Sequence, residues 1–505
     1  MIAVVFNYAT PSALESGRDR ALLGLTGDGR RPVRMHGKVR RNLFLLRFAL
    51  RALGELIWSG DSWAPFLDPI ITVHPDRLLF EAFNGDQSAY ALVTLDMDLF
   101  ELEGELQPGT TNIDFTAWLW GALGELRTSR ETRLRIGPEG LDLRTELAGG
   151  RFEPRVELPE SWFRGFLELQ GAMAMAGTRL SVRPVDLLSA IRFLRYSKAR
   201  MSPRAMRYEL EPDQPARLVL EPWEHVVPLE GAGHGYAEPR TIRVWGRRRL
   251  RLIEPLLPFA DGIDVYLKGR GLPHFYAVKL PDITFVLGLS GWSGRSWTQE
   301  ASFSLLAGRP KAVDPTRLEA SARLLAERFH LQEAGLAAEL GIEPSEAGRL
   351  LERLVRSGRA LYDVERRVFR GRELLHEPLD EARIFPPDPR LEAAERILEE
   401  GRLQVELCEP QETRRQRRLP SPDGRITREL IYRDWRVRGR VAGRQTEIVV
   451  GQLGRILFGT CECTFFQENL LQKGPCEHML ALYEAAVPGL QDPPSSARAG
   501  PEAGA

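Results

Sequence analysis

Lysine is almost missing from this 505-residue chain: six lysines stand against 63 arginines. A GC-rich coding sequence produces that bias by itself, so any single arginine cluster carries little weight. Net charge is missing too. The 69 basic side chains are matched by 69 acidic ones, which excludes a globally basic nucleic-acid binder and leaves only local basic surface. Cysteine is scarce: there are four, and three of them fall between Cys461 and Cys476. That is not the spread framework of a secreted disulfide protein, and it points to a reducing, cytoplasmic setting. No apolar run reaches the roughly 18 residues of a membrane span, so no membrane contact is expected. The opening MIAVVFNYATPSALESGRDR has no basic leader and too short an apolar run for a signal peptide; it reads as a first β-strand.

Catalytic signatures are missing as well. The chain has no phosphate-binding GxxxxGK[ST] loop, no nucleophile elbow, no dinucleotide fingerprint and no HExxH. Paired carboxylates occur throughout so charged a chain and specify nothing. The expectation is a protein with no enzymatic activity of its own.

What is present divides the chain. Its length predicts two to four domains in an α+β multidomain arrangement. Residues 1–310 carry short apolar or alternating segments separated by Gly, Pro, Asp and Asn, which predicts antiparallel sheet in one or two domains. Helices interrupt it at RRNLFLLRFALRALGELI, TAWLWGALGELR and PVDLLSAIRFLRYS. RLLFEAFNGDQSAYALV and RYELEPDQPARLVLEP are alike enough to hint at an internal duplication. Residues 264–298 read as three strands ending in a turn anchored by Trp292 and Trp297. The isolated His225 and His274 read as structural. Residues 315–375 predict helix, helix, turn, helix and a two-stranded wing, with Pro344 at a helix start and Gly341 and Gly358 at helix stops. AAELGIEPSEAGRLLERLVRSG resembles the helix-turn-helix of bacterial winged-helix domains. Its reading helix opens with Glu343, Ser345 and Glu346. Carboxylates facing phosphate are unfavourable, so a packing or protein-contact role is the better reading. Residues 488–505 are Pro, Gly, Ala and Ser with little else, which predicts a disordered tail.

The chemistry concentrates in residues 390–487. Cys461 and Cys463 form C-x-C, Cys476 and His478 form C-x-H, and twelve residues separate the pairs. Two close pairs across a spacer wrap a tetrahedral ion, and three thiolates with one imidazole suit zinc over magnesium or calcium. Four protein ligands leave no open position, so the metal is expected to be structural. Strands precede the first pair and the apolar helix MLALYEAAV follows the second. In this order the segment from WRVRGRV through Cys461, Cys463, Cys476 and His478 to MLAL resembles the SWIM zinc finger, a small zinc-bound ββα unit. The resemblance implies zinc on those four residues and contact with DNA or protein. With the GLSGWSGRSW and winged-helix-like segments, it is similar to bacterial SWIM proteins found near MoxR-type AAA ATPases and von Willebrand factor A proteins, which implies such a protein partner. Glu477 stands where family members often carry a basic residue, and the spacer FFQENLLQK is bulky and apolar. Both favour docking on protein through Phe465, Phe466, Leu470 and Leu471. Cys408 reads as a buried strand thiol.

The opposing feature is basic. Strand period two puts Arg436, Arg438 and Arg440 on one face, away from Trp435, Val437 and Val441. With a loop holding Arg414, Arg415, Arg417 and Arg418, that strip could follow a phosphate backbone. Three functions therefore stay open: a zinc-binding adaptor for a protein partner, a DNA-binding protein using this strip and the winged helix, and an enzyme with an unrecognised site in residues 65–310.

Overall fold

The computed structural model describes residues 33–58, 69–136, 160–290, 313–374 and 388–486 with short gaps, and strand segments between 4 and 24 and between 142 and 158. The turn with Trp292 and Trp297 and the 488–505 tail lie outside the described residues. Helices and largely antiparallel sheet are mixed along the chain. The helices used below are α1 (Leu43–Ile57), α2 (Ala117–Leu123), α3 (Glu160–Ala174), α4 (Pro184–Tyr196), α5 (Pro315–Arg328), α6 (Glu333–Leu340), α7 (Pro344–Arg356), α8 (Pro389–Glu399), α9 (Thr464–Asn469) and α10 (Glu477–Ala486). None of the described helices is long and apolar enough to cross a membrane.

The centre is an eight-stranded antiparallel sheet. Its strands are β1 (Ile70–Val73), β2 (Arg77–Phe83), β3 (Ala89–Asp96), β4 (Gly109–Asn112), β5 (Thr178–Val182), β10 (Gly262–Leu267), β11 (His274–Leu280) and β12 (Ile283–Leu289), in the order β5-β10-β11-β12-β3-β2-β1-β4. Its middle strands are apolar at nearly every position because both faces are covered. Ala89, Ala91, Val93 and Leu95 of β3 join α1 on one side. Tyr90 and Leu92 join α3 on the other. A second sheet, β8-β7-β6-β9, uses β6 (Met206–Leu210), β7 (Arg217–Leu220), β8 (His225–Pro228) and β9 (Arg240–Val244). The two segments that hint at duplication form the hairpins β2–β3 and β6–β7, one in each sheet.

A third sheet departs from the antiparallel expectation. Within it, Arg20–Gly24 pairs parallel with Glu131–Ile136, and Ala13–Ser16 pairs parallel with Asp142–Thr145. Parallel pairs need long crossovers, and here more than a hundred residues intervene between partners, a separation no local pattern announces.

Residues 315–371 supply α5, strand β13 (His330–Leu331), α6, α7 and the hairpin β14 (Ala360–Asp363) with β15 (Val368–Gly371), in the order β13-β15-β14. Asp314 caps α5 by accepting from the Thr316 N–H at 2.9 Å. Gly341 ends α6 at φ 63°, a left-handed conformation that glycine adopts without strain. Leu336, Leu350, Leu351, Leu354 and Phe369 form a small local core.

Buried charge fixes this hairpin to the central sheet. Arg372 donates to Glu81 at 2.6 Å, and neither side chain is exposed. Glu81 also accepts from Tyr90 Oη and Gln170 Nε2, while Gln170 Oε1 accepts from the Tyr362 N–H. Arg370, fully buried, donates to Asp363 and, through two nitrogens, to Asp76, at 2.9 Å each. Arg77 joins Asp363 to Asp96 and Glu365. His74 Nε2 donates to the Gly371 carbonyl at 2.7 Å. Burial, and then Arg370, push its pKa down to about 4, so the ring is neutral and its Nδ1 faces Arg370. No sequence pattern singles out these residues. His274 is fully buried in β11 with no hydrogen bond to either ring nitrogen among the described residues, and burial pushes its pKa down to about 3.

The network can be tested through its partners. Arg372→Ala or Glu81→Ala alone should cost about 3–5 kcal/mol, because each strands a buried charge, while Arg372→Met with Glu81→Leu should recover most of it. Denaturant unfolding of the three variants measures this. His74 is neutral when folded and titrates near 6.5 when unfolded, so its contribution is full above pH 6.5 and fades as the pH falls towards 4. His74→Gln should lose less stability than wild type across that interval.

Candidate metal centre

The C-terminal sheet is β16 (Leu403–Ser421), β17 (Gly424–Val441), β18 (Arg444–Val450) and β19 (Ile456–Cys461), in that order and antiparallel throughout. It is therefore four-stranded, larger than the small ββα unit expected. Cys461 ends β19 opposite the buried Thr446, whose hydroxyl lies 3.5 Å from its sulfur. Cys463 caps α9, its sulfur accepting from the Phe466 N–H at 3.4 Å. Cys476 stands just before α10, and His478 lies in that helix's first turn.

Two glycines let α10 lie close on the sheet. A Cβ at Gly439 of β17 would meet Leu482 at 3.0 Å and the Gln404 carbonyl at 2.5 Å; one at Gly459 of β19 would meet Met479 at 2.8 Å. Gly439 occupies the inward position between Val437 and Val441, where the apolar alternation skips a residue in sequence only. From α8, Arg390 donates to the Lys473 and Pro475 carbonyls at 2.8 and 3.0 Å and lies 5.0 Å from the Phe465 ring centre. It thus braces the turn that delivers Cys476. In so arginine-rich a sequence nothing marks Arg390 or Thr446.

The ligand atoms of Cys461, Cys463, Cys476 and His478 all lie within 4.8 Å of one another, and all four residues are buried. Tetrahedral zinc with Zn–S bonds of about 2.3 Å places sulfurs about 3.8 Å apart. Crowding splits the thiols: hydrogen bonds from Cys463 and Cys476 push the Cys461 pKa far down, and Cys461 and Cys463 push that of Cys476 far up. The same two cysteines, Cys461 and Cys463, raise His478 to about 9. So many thiols cannot all ionise together without a cation to neutralise them. His478 Nδ1 is buried without a hydrogen bond, 3.4 Å from a Glu477 carboxylate oxygen. The donor set and its closure fit a structural zinc ion, whose sphere these four side chains would complete.

Three expectations are corrected around it. Phe466 and Leu471 are buried, and Phe465 and Leu470 pack against the same core, which runs through α8 and α3 to the back of the central sheet. The spacer docks on this chain itself because its apolar side chains turn inward beneath the ligands. Cys408 is exposed, since β16 is an edge strand whose outer flank is open to solvent. The TRRQRR segment is not a loop: Arg414, Arg415, Arg417 and Arg418 lie on β16, paired with Ile431, Leu430, Arg428 and Thr427. Their side chains lie outside the described residues.

The arginine strip is present, with two of its three members sharing one carboxylate. Arg436 and Arg438 both bond to Glu447, at 2.8–3.2 Å. Burial would raise the Glu447 pKa, but the two guanidiniums outweigh it and hold it below the usual carboxylate range. Of the three arginines, Arg440 is the exposed one.

A closed Cys3His knuckle on a sheet and helix is a structural zinc site. The SWIM zinc finger family model matches residues 447–486, which contain all four ligands. No curated protein matches the chain. Solved structures that match include proliferating cellular nuclear antigen from Entamoeba histolytica (13% identity, 50% of this chain and 97% of that one, TM-score 0.35). Another is A. fulgidus PCNA bound to the C-terminal region of FEN-1 (12%, 50% and 97%, 0.32). A third is PCNA from Thermococcus kodakaraensis (14%, 50% and 98%, 0.34). Likeness at that level does not define the fold.

Metal analysis should give one zinc per chain in the wild type and none in Cys476→Ser, with Cys408→Ser unchanged. Arg390→Met should keep the ion but bind it about ten-fold more weakly, as loss of an outer brace does. Equal zinc in wild type and Cys476→Ser would refute the site.

Proposed function

We propose that the chain is a non-enzymatic, cytoplasmic adaptor in which zinc builds the protein-binding part without itself touching the partner. The observation that carries this reading is the ribbon made by β16 and β17. β18 pairs with β17 only over Trp435–Val441, whereas β16 and β17 continue to pair with each other as far as Ser421 and Gly424. A two-stranded ribbon is marginal in water by itself and is stabilised by a covering partner. The zinc knuckle, α10 and the two close-contact glycines hold its base. The partner class follows from the resemblance to SWIM proteins of MoxR-type ATPase and von Willebrand factor A systems.

We read residues 315–375 as a winged-helix-like module used for packing, with its wing committed to Glu81 and Asp76 and Glu346 at its reading helix paired with Arg317. The DNA-binding alternative through Arg436, Arg438 and Arg440 draws less support, because Glu447 already holds two of the three.

The test compares tagged full-length protein with a variant in which 411–434 is replaced by a short turn, both purified from the native host. A MoxR-type or von Willebrand factor A protein should accompany the wild type and leave with the ribbon, while zinc stays bound to both. Identical companions with and without the ribbon, or none with either, would reject the adaptor reading.

A further inference from the structure

One group of cations without side-chain partners among the described residues lies far from the zinc ligands in sequence. From Leu187 to Tyr208 the chain contains six basic residues and no acidic one, and Arg240–Ile253 is likewise free of acids. The fold brings these two stretches together, with α4 packed on the short 3-10 turns Arg247–Leu252 and Glu254–Phe259. Arg192 and Tyr196, four apart, lie on one side of α4 with Arg195, whose ion pair with Glu254 turns that side towards the 3-10 turns. Arg248 and Arg251, three apart in a 3-10 turn, share its outer edge, while Arg247 is buried beneath. Lys198, Arg200 and Arg204 lie on the connection after α4.

All six of Arg192, Lys198, Arg200, Arg204, Arg248 and Arg251 are exposed. None of their side chains has a hydrogen bond or ion pair among the described residues, although elsewhere arginines are paired repeatedly. The bordering carboxylates are taken: Glu254 by Arg195, Asp86 by Arg249, and Glu221 by Arg207 and Arg243. Arg204 and Arg248 sit near enough to Arg247 to lower its proton affinity, after the larger effect of its burial. Like charges gathered without counter-charge are destabilising unless a polyanion completes them. At the end of α4 beside them stands Tyr196, 84% exposed, a large ring left in water.

We propose that the surface formed by α4 and the Arg247–Leu252 turn is a binding site for a single-stranded nucleic acid, with the six cations on its phosphates and Tyr196 stacked on a base. Five of the six are arginines, whose planar forks match phosphate oxygens better than ammonium does. An exposed aromatic among cations is the arrangement that grips unpaired bases without reading sequence. An anionic membrane is the poorer fit, because the only other large apolar side chain exposed on 192–204 is Met201, too little to insert. The site is independent of the zinc knuckle and of the ribbon.

Fluorescence anisotropy of full-length protein with a labelled oligothymidine of about twenty nucleotides tests this. The wild type should bind, and the affinity should fall with salt at a log–log slope of about −0.7 per phosphate contacted. A triple variant carrying Arg192→Glu, Arg248→Glu and Arg251→Glu should weaken binding about ten-fold or more and flatten that slope. Tyr196→Ala should weaken the single strand more than a duplex. A double variant, Arg436→Glu with Arg438→Glu, should bind like wild type. Zinc content and circular dichroism check that the triple variant is folded; if it is not, Arg248→Gln with Arg251→Gln replaces it, with a smaller loss expected. The site is rejected if no salt-dependent binding occurs, if the folded charge variants bind as wild type does, or if the patch binds phosphatidylserine vesicles and oligothymidine fails to compete. The ribbon's protein companions should be unaffected by the triple variant, so the two readings fail separately.

Discussion

The ion pair between Arg372 and Glu81, with neither side chain exposed, is the contact on which the middle of the molecule depends. Two charges removed from water are tolerated only when the carboxylate's remaining lone pairs also find donors. Glu81 meets that condition through Tyr90 and Gln170, and Gln170 passes the constraint on to the Tyr362 backbone. A residue of the central sheet, a residue of α3 and the β14–β15 hairpin are thereby held in one register. Arg370, Asp76, Asp363 and His74 repeat the arrangement a few residues away. Apolar packing alone would allow the hairpin to slide, whereas this network accepts one placement. Arg366 and Arg370 of this hairpin are thus held by Asp76, Asp96 and Asp363, while Arg367 stays exposed at its turn.

The zinc site performs a comparable service at the other end. The core behind the central sheet continues through α3 and α8 into the apolar face of β17, β18 and α10, and Cys461, Cys463 and Cys476 belong to it. A zinc ion held by these ligands would close that core at the turns that carry them. Thr446 and Arg390 restrain the ligand loops. Residues 390–487 share their interior with the N-terminal region, which is why the apolar spacer faces inward. Without that neighbour, the same residues would present a docking face, as their composition alone suggests.

Local signals in the sequence were strong where structure is local. The ligand spacing, the strand alternation through Val437 and Val441, the stops at Gly341 and Gly358, and the helices at 43–57 and 344–356 could all be read directly. Contacts between distant residues could not. Glu81 and Arg372 are 291 positions apart, and each looks like an ordinary surface charge in its own segment. The parallel pairings of the third sheet are invisible for the same reason. Cys408 was misjudged because alternation tells which way a side chain points but not whether a strand lies at an edge. The shared ion pair of Arg436 and Arg438 is equally hidden, because Glu447 lies on the neighbouring strand, directly opposite Arg438.

Charge balance takes on a different meaning in the folded chain. Equal numbers of acids and bases exclude a net field, but the fold distributes them unevenly. Carboxylates are drawn inward and along strand faces to hold arginines at Asp76, Glu81, Glu221, Asp264, Asp363 and Glu447. An acid that holds two or three arginines in the interior is unavailable to those outside it. With total charge fixed at zero, committing acids to the core and strand faces leaves bases on the surface to be balanced from elsewhere. A sequence-level search for basic runs finds arginines in either condition and cannot separate them. The strip at Arg436, Arg438 and Arg440 and the surface of α4 look alike as text. They differ physically in how many members have a carboxylate within about 3 Å: Arg436 and Arg438 share Glu447, whereas the six cations around α4 have none among the described residues.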